Sequence, residues 1–457
     1  MKNTAGASDL VDWVGGSVSR EIFVSEDIYR QELETLFTRA WLFVGHESQI
    51  PNNGDFITSR MGEESVIVSR DQEGEVRVML NSCSHRGMKV CRYESGNTSF
   101  FTCPYHAWKY GSDGRLMGVP QYKTLYEGSL NRDDWSMVGV AKLCCYKGTI
   151  WATWDPDAPD FLTYLGDAKL HLDQALDCRD GRPGGSEVIG VHKWVFPANW
   201  KFAAENFLGD TYHNSSHASV DLIGIGPSAQ AGTKGRRDNE LETAQHVWIS
   251  FEGGHGVHSA VQPKDLPYRE QFRDDPEIEA YFRHCHEERQ RRLGEDSRLL
   301  PFVGTMFPNT SYHGRQPRNL CVWHPHSATE TEAWRFFMVD ADAPASVKSF
   351  LRTYYMRYSG PAGMTEQDDM ENWLYATQAS KGSIARRHPF NYAQSLGRSE
   401  TNPSVNGFEV RGDVSQQVTE HMALGFYRRW AQYLDAEPWE VLLGQGDERF
   451  PDTQSRV

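Results

Sequence analysis

The stretch that runs from Cys83-Ser84-His85 to Cys103-Pro104-Tyr105-His106 decides how this chain is read. Each end supplies one thiolate and one imidazole, and seventeen residues separate His85 from Cys103. Zinc sites built from two Cys and two His are common, but they usually pair Cys with Cys and His with His along the chain. Here each short piece mixes the two. That suits two loops gripping a two-iron, two-sulfide cluster, with both cysteines on one iron and both histidines on the other. Histidine ligation raises the potential of such a cluster, so the expected task is electron handling. Arg86-Gly87, Pro104, Gly111, Gly114 and Gly118 supply the tight turns these loops need.

Outward from this stretch, residues 42–157 alternate short apolar or period-two runs with Gly, Asn, Asp and Pro. Examples are Phe56-Ile57-Thr58, Ser65 to Ser69, Val76 to Leu80 and Gly148 to Trp154. The expectation is a small all-β domain with the metal loops at hairpin tips. Upstream, apolar positions between Glu26 and Trp41 predict an amphipathic helix within an N-terminal segment, 1–41, packed on the catalytic domain. Downstream of Asp155-Pro156-Asp157-Ala158-Pro159-Asp160, residues 158–457 mix strands and helices. Val188–Phe196, Val247–Phe251, Leu320–His324 and Ala333–Val339 read as strands, Pro227–Asp238 as a loop, and Pro276–Leu293 as a helix with proline in its first turn. The fold class is α+β, a small β domain inserted near the N-terminus of a larger domain with a mainly antiparallel sheet.

Composition narrows the function. The 457 residues are 39% hydrophobic and 24% charged, and 14 Trp, 19 Tyr and 22 Phe suit a large buried pocket. A net charge of -15 argues against a nucleic-acid partner. No run is long and apolar enough for a membrane span, and Met1 to Asp9 lacks a signal-peptide core, so a cytoplasmic protein with no membrane partner is expected. Two of the eight cysteines belong to the metal loops; Cys91, Cys144, Cys145, Cys178, Cys285 and Cys321 read as buried free thiols. Arg86, Lys89, Arg92, Lys109 and Arg115 crowd the loops, which suits docking of a small acidic electron carrier or, equally, a scatter of solvated charges.

A second constellation lies in Glu205 to His217. On a helix at about 100° per residue, His213, His217 and Asn206 fall about 60°, 20° and 40° from Asp210, all to one side. Two neutral imidazoles a turn apart can chelate one ion, with Asp210 placed to orient them. Asn206 and Asp210 are thus candidate catalytic residues. A mononuclear iron that activates dioxygen commonly takes two His and one carboxylate. Sixty-two acidic residues compete for that third place, and spacing does not choose among them.

The two motifs together, with Asn199-Trp200-Lys201 and Glu205-Asn206-Phe207-x-Gly209-Asp210-x-Tyr212-His213, resemble the large subunit of Rieske non-haem iron ring-hydroxylating oxygenases, the family of the naphthalene and biphenyl dioxygenases. The resemblance includes Trp41, Gly45-His46, Pro51 and the late run Gly360 to Asp369. It implies Asp369 as the third iron ligand, with Asp368 the fallback and Thr365 capping the helix that carries them. One departure is the three-residue gap between His213 and His217, where the family commonly has four or five.

The resemblance also implies a Rieske [2Fe-2S] cluster at Cys83, His85, Cys103 and His106, and a mononuclear Fe(II) at His213, His217 and Asp369. It implies a bacterial homotrimer, often with a small β subunit (α3β3), fed by a ferredoxin or reductase. In it Asp210 bridges His213 and the cluster histidine His106 of the next chain. The expected reaction joins both atoms of O2 to an aromatic ring as a cis-dihydrodiol. A monooxygenase or demethylase of the same family, a Rieske electron-transfer protein without oxygenase activity, and a zinc-stabilised binding module are the alternatives. Asn206, Phe207, Thr211, Asn214, Tyr312, Tyr358 and Met364 are the candidate pocket residues.

Overall fold

Short strands closed by tight turns build the segment that carries the Cys-His loops. In the computed structural model, which describes residues 6–176, 185–218, 220, 244–264, 268, 275–316 and 318–443, this segment belongs to a unit spanning Phe37–Phe161. Its strands are β1 (Leu42–His46), β2 (Asp55–Met61), β3 (Glu64–Arg70), β4 (Val76–Leu80), β5 (Ser95–Asn97), β6 (Phe100–Thr102), β7 (Lys109–Gly111), β8 (Leu116–Gly118), β9 (Lys142–Tyr146) and β10 (Thr149–Thr153). They form three antiparallel sheets, ordered β4-β3-β2-β5, β8-β7-β6 and β9-β10-β1. The β2–β3 hairpin turns in two residues led by Gly62 (φ +62°), which matches the twist of the flanking strands. The second metal loop is the tip of the β6–β7 hairpin, as expected. The first is not a hairpin tip: it joins β4 to β5, which lie on opposite edges of their sheet because β5 pairs with β2.

The second unit comprises the residues up to Leu36 and those from Leu162 onward. Its main sheet has nine strands, all antiparallel: β11 (Ser186–Phe196), β12 (Gln245–Ser250), β13 (Gly256–Val261), β14 (Leu299–Met306), β15 (Thr310–His313), β16 (Asn319–Ser327), β17 (Glu330–Asp340), β18 (Glu400–Thr401) and β19 (Asp413–Ser415), ordered β11-β17-β16-β15-β14-β13-β12-β19-β18. The four runs read as strands in the sequence all lie in it. Around the sheet pack α1 (Glu26–Gln31), α2 (Trp200–Asn206), α3 (Pro276–Leu293), α4 (Ala345–Tyr358), α5 (Met364–Ser380) and α6 (His421–Leu434). Helix α3 starts as its sequence suggests, with Asp275 capping and Pro276 in the first turn. The chain is thus α+β with a mainly antiparallel sheet.

The helix expected from Glu26 to Trp41 stops earlier. After α1 it widens into a π turn over Glu32–Leu36, which begins at the buried Glu32. This fully buried carboxylate accepts from Trp200 Nε1 (2.9 Å), Trp430 Nε1 (2.7 Å) and Lys201 Nζ, tying the N-terminal segment to α2 and α6. A buried charge is tolerable only with such complete pairing. Cys91, Cys285 and Cys321 are buried, but Cys145 is exposed and Cys144 half-buried, since both lie on the edge strand β9. Cys178 and the loop Pro227–Asp238 lie outside the described residues. No helix among the described residues is long and apolar enough to cross a membrane.

Candidate metal centres

The two Cys-His loops have one backbone design. In each, the cysteine N–H donates to the carbonyl five residues on, Cys83 to Met88 (2.9 Å) and Cys103 to Trp108 (2.8 Å). In each, the N–H four residues on returns to the cysteine carbonyl, Gly87 to Cys83 (2.8 Å) and Ala107 to Cys103 (3.0 Å). Closing that ring needs a left-handed residue, and Gly87 (φ +70°) and Ala107 (φ +57°) provide it. Both thiols are buried in the small unit's core with Trp108 and Tyr110, while His85 and His106 are half-buried. The imidazoles meet at a centroid distance of 4.5 Å, and His85 stacks on Trp108 at 4.9 Å.

Electrostatics favours ligation here. Burial, with His106 and Arg86 nearby, pushes the His85 imidazole toward its neutral form, and its Nδ1 is buried without a hydrogen-bond partner. A neutral imidazole with an orphaned ring nitrogen is what a metal requires. Burial raises the Cys103 thiol, while the N–H groups of Tyr105 and His106 pull it back toward thiolate. The Tyr110 hydroxyl sits 3.1 Å from Cys83 Sγ. Two thiols inward and two imidazoles outward fit a cluster of mixed ligation. Around it Arg86, Lys89 and Arg92 are exposed, while Lys109 covers the Phe100 ring and Arg115 pairs with Asp113.

The second centre is assembled from distant elements. The stretch from Asn206 to His217 is not one helix: α2 ends at Asn206, the chain turns at Gly209 (φ +118°), and a short 3-10 helix covers Tyr212–His217. A side chain at Gly209 would sit 2.7 Å from His258 Cβ, and Trp248 Nε1 holds the Gly209 carbonyl at 2.9 Å. Packing against β12 and β13 therefore leaves room only for glycine at this turn. The expected shared helical face is replaced by a fold-back. Asn206 gives its carbonyl to the Asp210 N–H (3.2 Å), and its side chain makes no hydrogen bond among the described residues.

Three ligand atoms nevertheless converge. His213 Nε2 and His217 Nε2 are 3.1 Å apart, and Asp369 Oδ1, carried by α5, lies 3.3 Å and 3.1 Å from them. Ligands at right angles on an ion at about 2.1 Å would be about 3 Å apart, so the triangle fits one octahedral face. The far nitrogen of each imidazole faces a carboxylate: Asp210 Oδ2 at 3.4 Å from His213 Nδ1, and Asp368 Oδ2 at 3.2 Å from His217 Nδ1. Asp368, the fallback ligand of the sequence reading, therefore lies behind His217, while Asp369 Oδ1 lies with the two Nε2 atoms. Burial opposes charge on His213, but Asp210 and Asp369 outweigh it and hold the imidazole up to about 10. Burial is likewise outweighed at Asp369, whose carboxyl the two histidines hold well below the carboxylate range. A divalent cation would take the same electron pairs, so metal and protons compete here.

Helix α5 is positioned by its first turn. Gly363 is its N-cap; Thr365, expected to cap it, donates instead to the Tyr358 carbonyl (2.5 Å). Glu366 accepts the Gly360 N–H (2.7 Å) and pairs with Arg335 Nη2 (2.5 Å). Of the candidate pocket residues, Phe207 stacks on His313 (5.0 Å), and His313 meets Tyr358 (6.4 Å). Thr211 keeps a buried, unpartnered hydroxyl, and Met364 begins α5 half-buried. Tyr312 is misplaced by the expectation: β15 alternates, so His313 faces Phe207 while Tyr312 turns to the other face of the sheet over Gly304. The side chain of Asn214 lies outside the described residues. Sequence reasoning missed Arg335, and also Glu205, which burial holds up to about 8 against the hydroxyls of Tyr427 and Tyr392.

Comparison with known proteins completes the description. Residues 40–132 match the Rieske [2Fe-2S] domain family, and residues 163–436 match the catalytic domain of ring-hydroxylating alpha subunits. The chain is 38% identical to the biphenyl 2,3-dioxygenase alpha subunit of Rhodococcus jostii, covering 96% of this chain and 93% of that protein. It is 37% identical to a benzene 1,2-dioxygenase alpha subunit of Pseudomonas putida, covering 96% of each. A solved naphthalene 1,2-dioxygenase with indole bound in its active site superposes with a TM-score of 0.84 at 32% identity, over 95% of this chain and 96% of that one.

Proposed function

Since the chain belongs to the Rieske-type ring-hydroxylating oxygenase alpha-subunit family, we propose that it is a terminal oxygenase that cis-dihydroxylates an aromatic ring in the catabolism of aromatic compounds. An oxygenase of this kind uses an aromatic substrate, O2 and electron-transfer partners, and carries a Rieske [2Fe-2S] cluster and a mononuclear non-haem iron. The observation that carries the reading is the 3.1–3.3 Å triangle of His213, His217 and Asp369.

Cys83, His85, Cys103 and His106 would hold the cluster, and His213, His217 and Asp369 the iron. When bound, the two centres supply one-electron transfer and dioxygen activation beside the ring. The chain's own residues do the rest. Asp210 and Asp368 fix the ring orientations of the two iron histidines through their Nδ1 atoms. Phe207, His313 and Tyr358 offer an aromatic wall. Arg86, Lys89 and Arg92 offer a basic face to an acidic ferredoxin or reductase. We place the chain in a homotrimer, with or without a small β subunit, in which electrons cross from His106 of one chain to Asp210 of the next. What supports the crossing is that each group is part-exposed on its own unit.

Iron and sulfide analysis, with paramagnetic resonance before and after reduction, tests this directly. Three irons and two sulfides per chain are expected, two irons from the cluster and one from the triad. A colourless protein holding only zinc would overturn the reading. Labelled dioxygen then separates a dioxygenase, which places both atoms in the product, from the monooxygenase alternative, which places one.

A further inference from the structure

One face of the main sheet turns toward the helices that carry the triad, and a cation is buried in it. Arg335 lies on β17, fully buried, directly opposite Cys321 of β16 and His192 of β11. Its guanidinium stands over the Phe207 ring at 5.4 Å and is close enough to Asp369 for their charges to interact. Glu366, one turn before Asp369 on α5, pairs with the guanidinium through Nη2. Nε and Nη1 are buried with no acceptor beside them but the Cys321 thiol, a weak one. Beside this group His192 Nδ1 is also buried and unpartnered. A side chain at Gly360 would sit 2.4 Å from that nitrogen, so the glycine keeps it open. Ser359, just before Gly360 in the chain, adds a fourth unpartnered buried polar atom, its Oγ.

A site meant only for a neutral hydrocarbon gains nothing from such a group. Unsatisfied buried donors are costly, and native interiors rarely keep several together without a ligand or ordered water. An arginine cannot shed its charge to lower that cost. A carboxylate is the acceptor that suits a guanidinium best, in charge and in planar shape.

We propose that the aromatic substrate of this site carries a carboxylate, and that Arg335, with His192 beside it, selects that group. This inference rests on the oxygenase reading of His213, His217 and Asp369. Arg335 recognises the part of the substrate remote from the ring carbons attacked, and it rejects a neutral ring by leaving its own donors unpaired.

Calorimetry on the iron-loaded enzyme, with 3-phenylpropanoate and 4-biphenylcarboxylate each against its primary amide, tests the idea. Each acid is expected to bind on the order of 10- to 100-fold tighter than its amide. The preference should vanish in the paired change Arg335→Gln with Glu366→Gln, which leaves no lone buried charge, and should shrink in His192→Gln. Equal binding of acid and amide by the unmodified enzyme, or a preference that survives both variants, overturns the proposal; the first comparison holds even if the paired variant fails to fold. A single turnover of the chemically reduced enzyme with dioxygen separates the two readings. Neutral arenes oxygenated without acid preference sink the role of Arg335 and leave the oxygenase standing. Tight acid binding with no ring oxygenated does the reverse.

Discussion

The proposed cluster loops and the proposed iron triad are built on opposite plans. The loops would draw four ligands from Cys83 to His106; they repeat one hydrogen-bonded turn twice and sink their sulfurs into a local core. The triad takes two histidines from a 3-10 turn and one carboxylate from α5, far along the chain. Behind these residues stand further side chains, Asp210, Asp368 and the Arg335–Glu366 pair. One centre is held mainly by backbone geometry, the other by carboxylates, and substitutions should tell them apart.

The largest effect is expected from Asp369→Ala. It should remove the mononuclear iron and abolish turnover while the visible spectrum of the cluster persists; metal analysis reads both at once. Loss of the cluster spectrum as well would mean the two centres are not independently built. Asp210→Ala comes next. Both metals should stay bound while steady-state turnover nearly disappears, and normal turnover would sink its bridging role. Asp368→Asn should be milder, lowering iron affinity by about 10- to 100-fold in chelator competition, as for other groups that orient a metal-bound histidine. An unchanged affinity would make Asp368 a bystander. The smallest is Gly87→Ala, because Ala107 already holds the same conformation in the sister loop. A Cβ at 87 would touch only Ser82 Oγ, at 3.9 Å, so the cost should be about 1–2 kcal/mol by thermal melting, and the cluster should still assemble. Failure to load the cluster would show that the two loops are not equivalent.

The same contrast explains what was legible in the sequence. The cluster ligands stand out because loop geometry confines them to neighbouring residues. His213 and His217 were legible as a pair, but their setting was not: His258 and Trp248 crowd the turn at Gly209, from strands whose approach no local pattern reveals. Spacing could not choose the carboxylate, because α5 brings it from across the fold; only the resemblance to a family named Asp369. Adjacent helical acids such as Asp368 and Asp369 point about 100° apart, which is why they reach different nitrogens of His217. Tyr312 was misassigned because both faces of β15 are buried and alternation alone does not say which is which. Arg335 read as one polar residue in an apolar strand, and its meaning appeared only with its cross-strand neighbours.

The Glu32 carboxylate has a consequence for biosynthesis. Its partners are Trp200, Lys201 and Trp430, so this charge waits for a residue made 398 positions later. The unit of residues 37–161 is complete in a single continuous stretch. In chain order residues 37–161 are therefore finished before Trp430 is made, and the Glu32 site is complete only once α6 has been added.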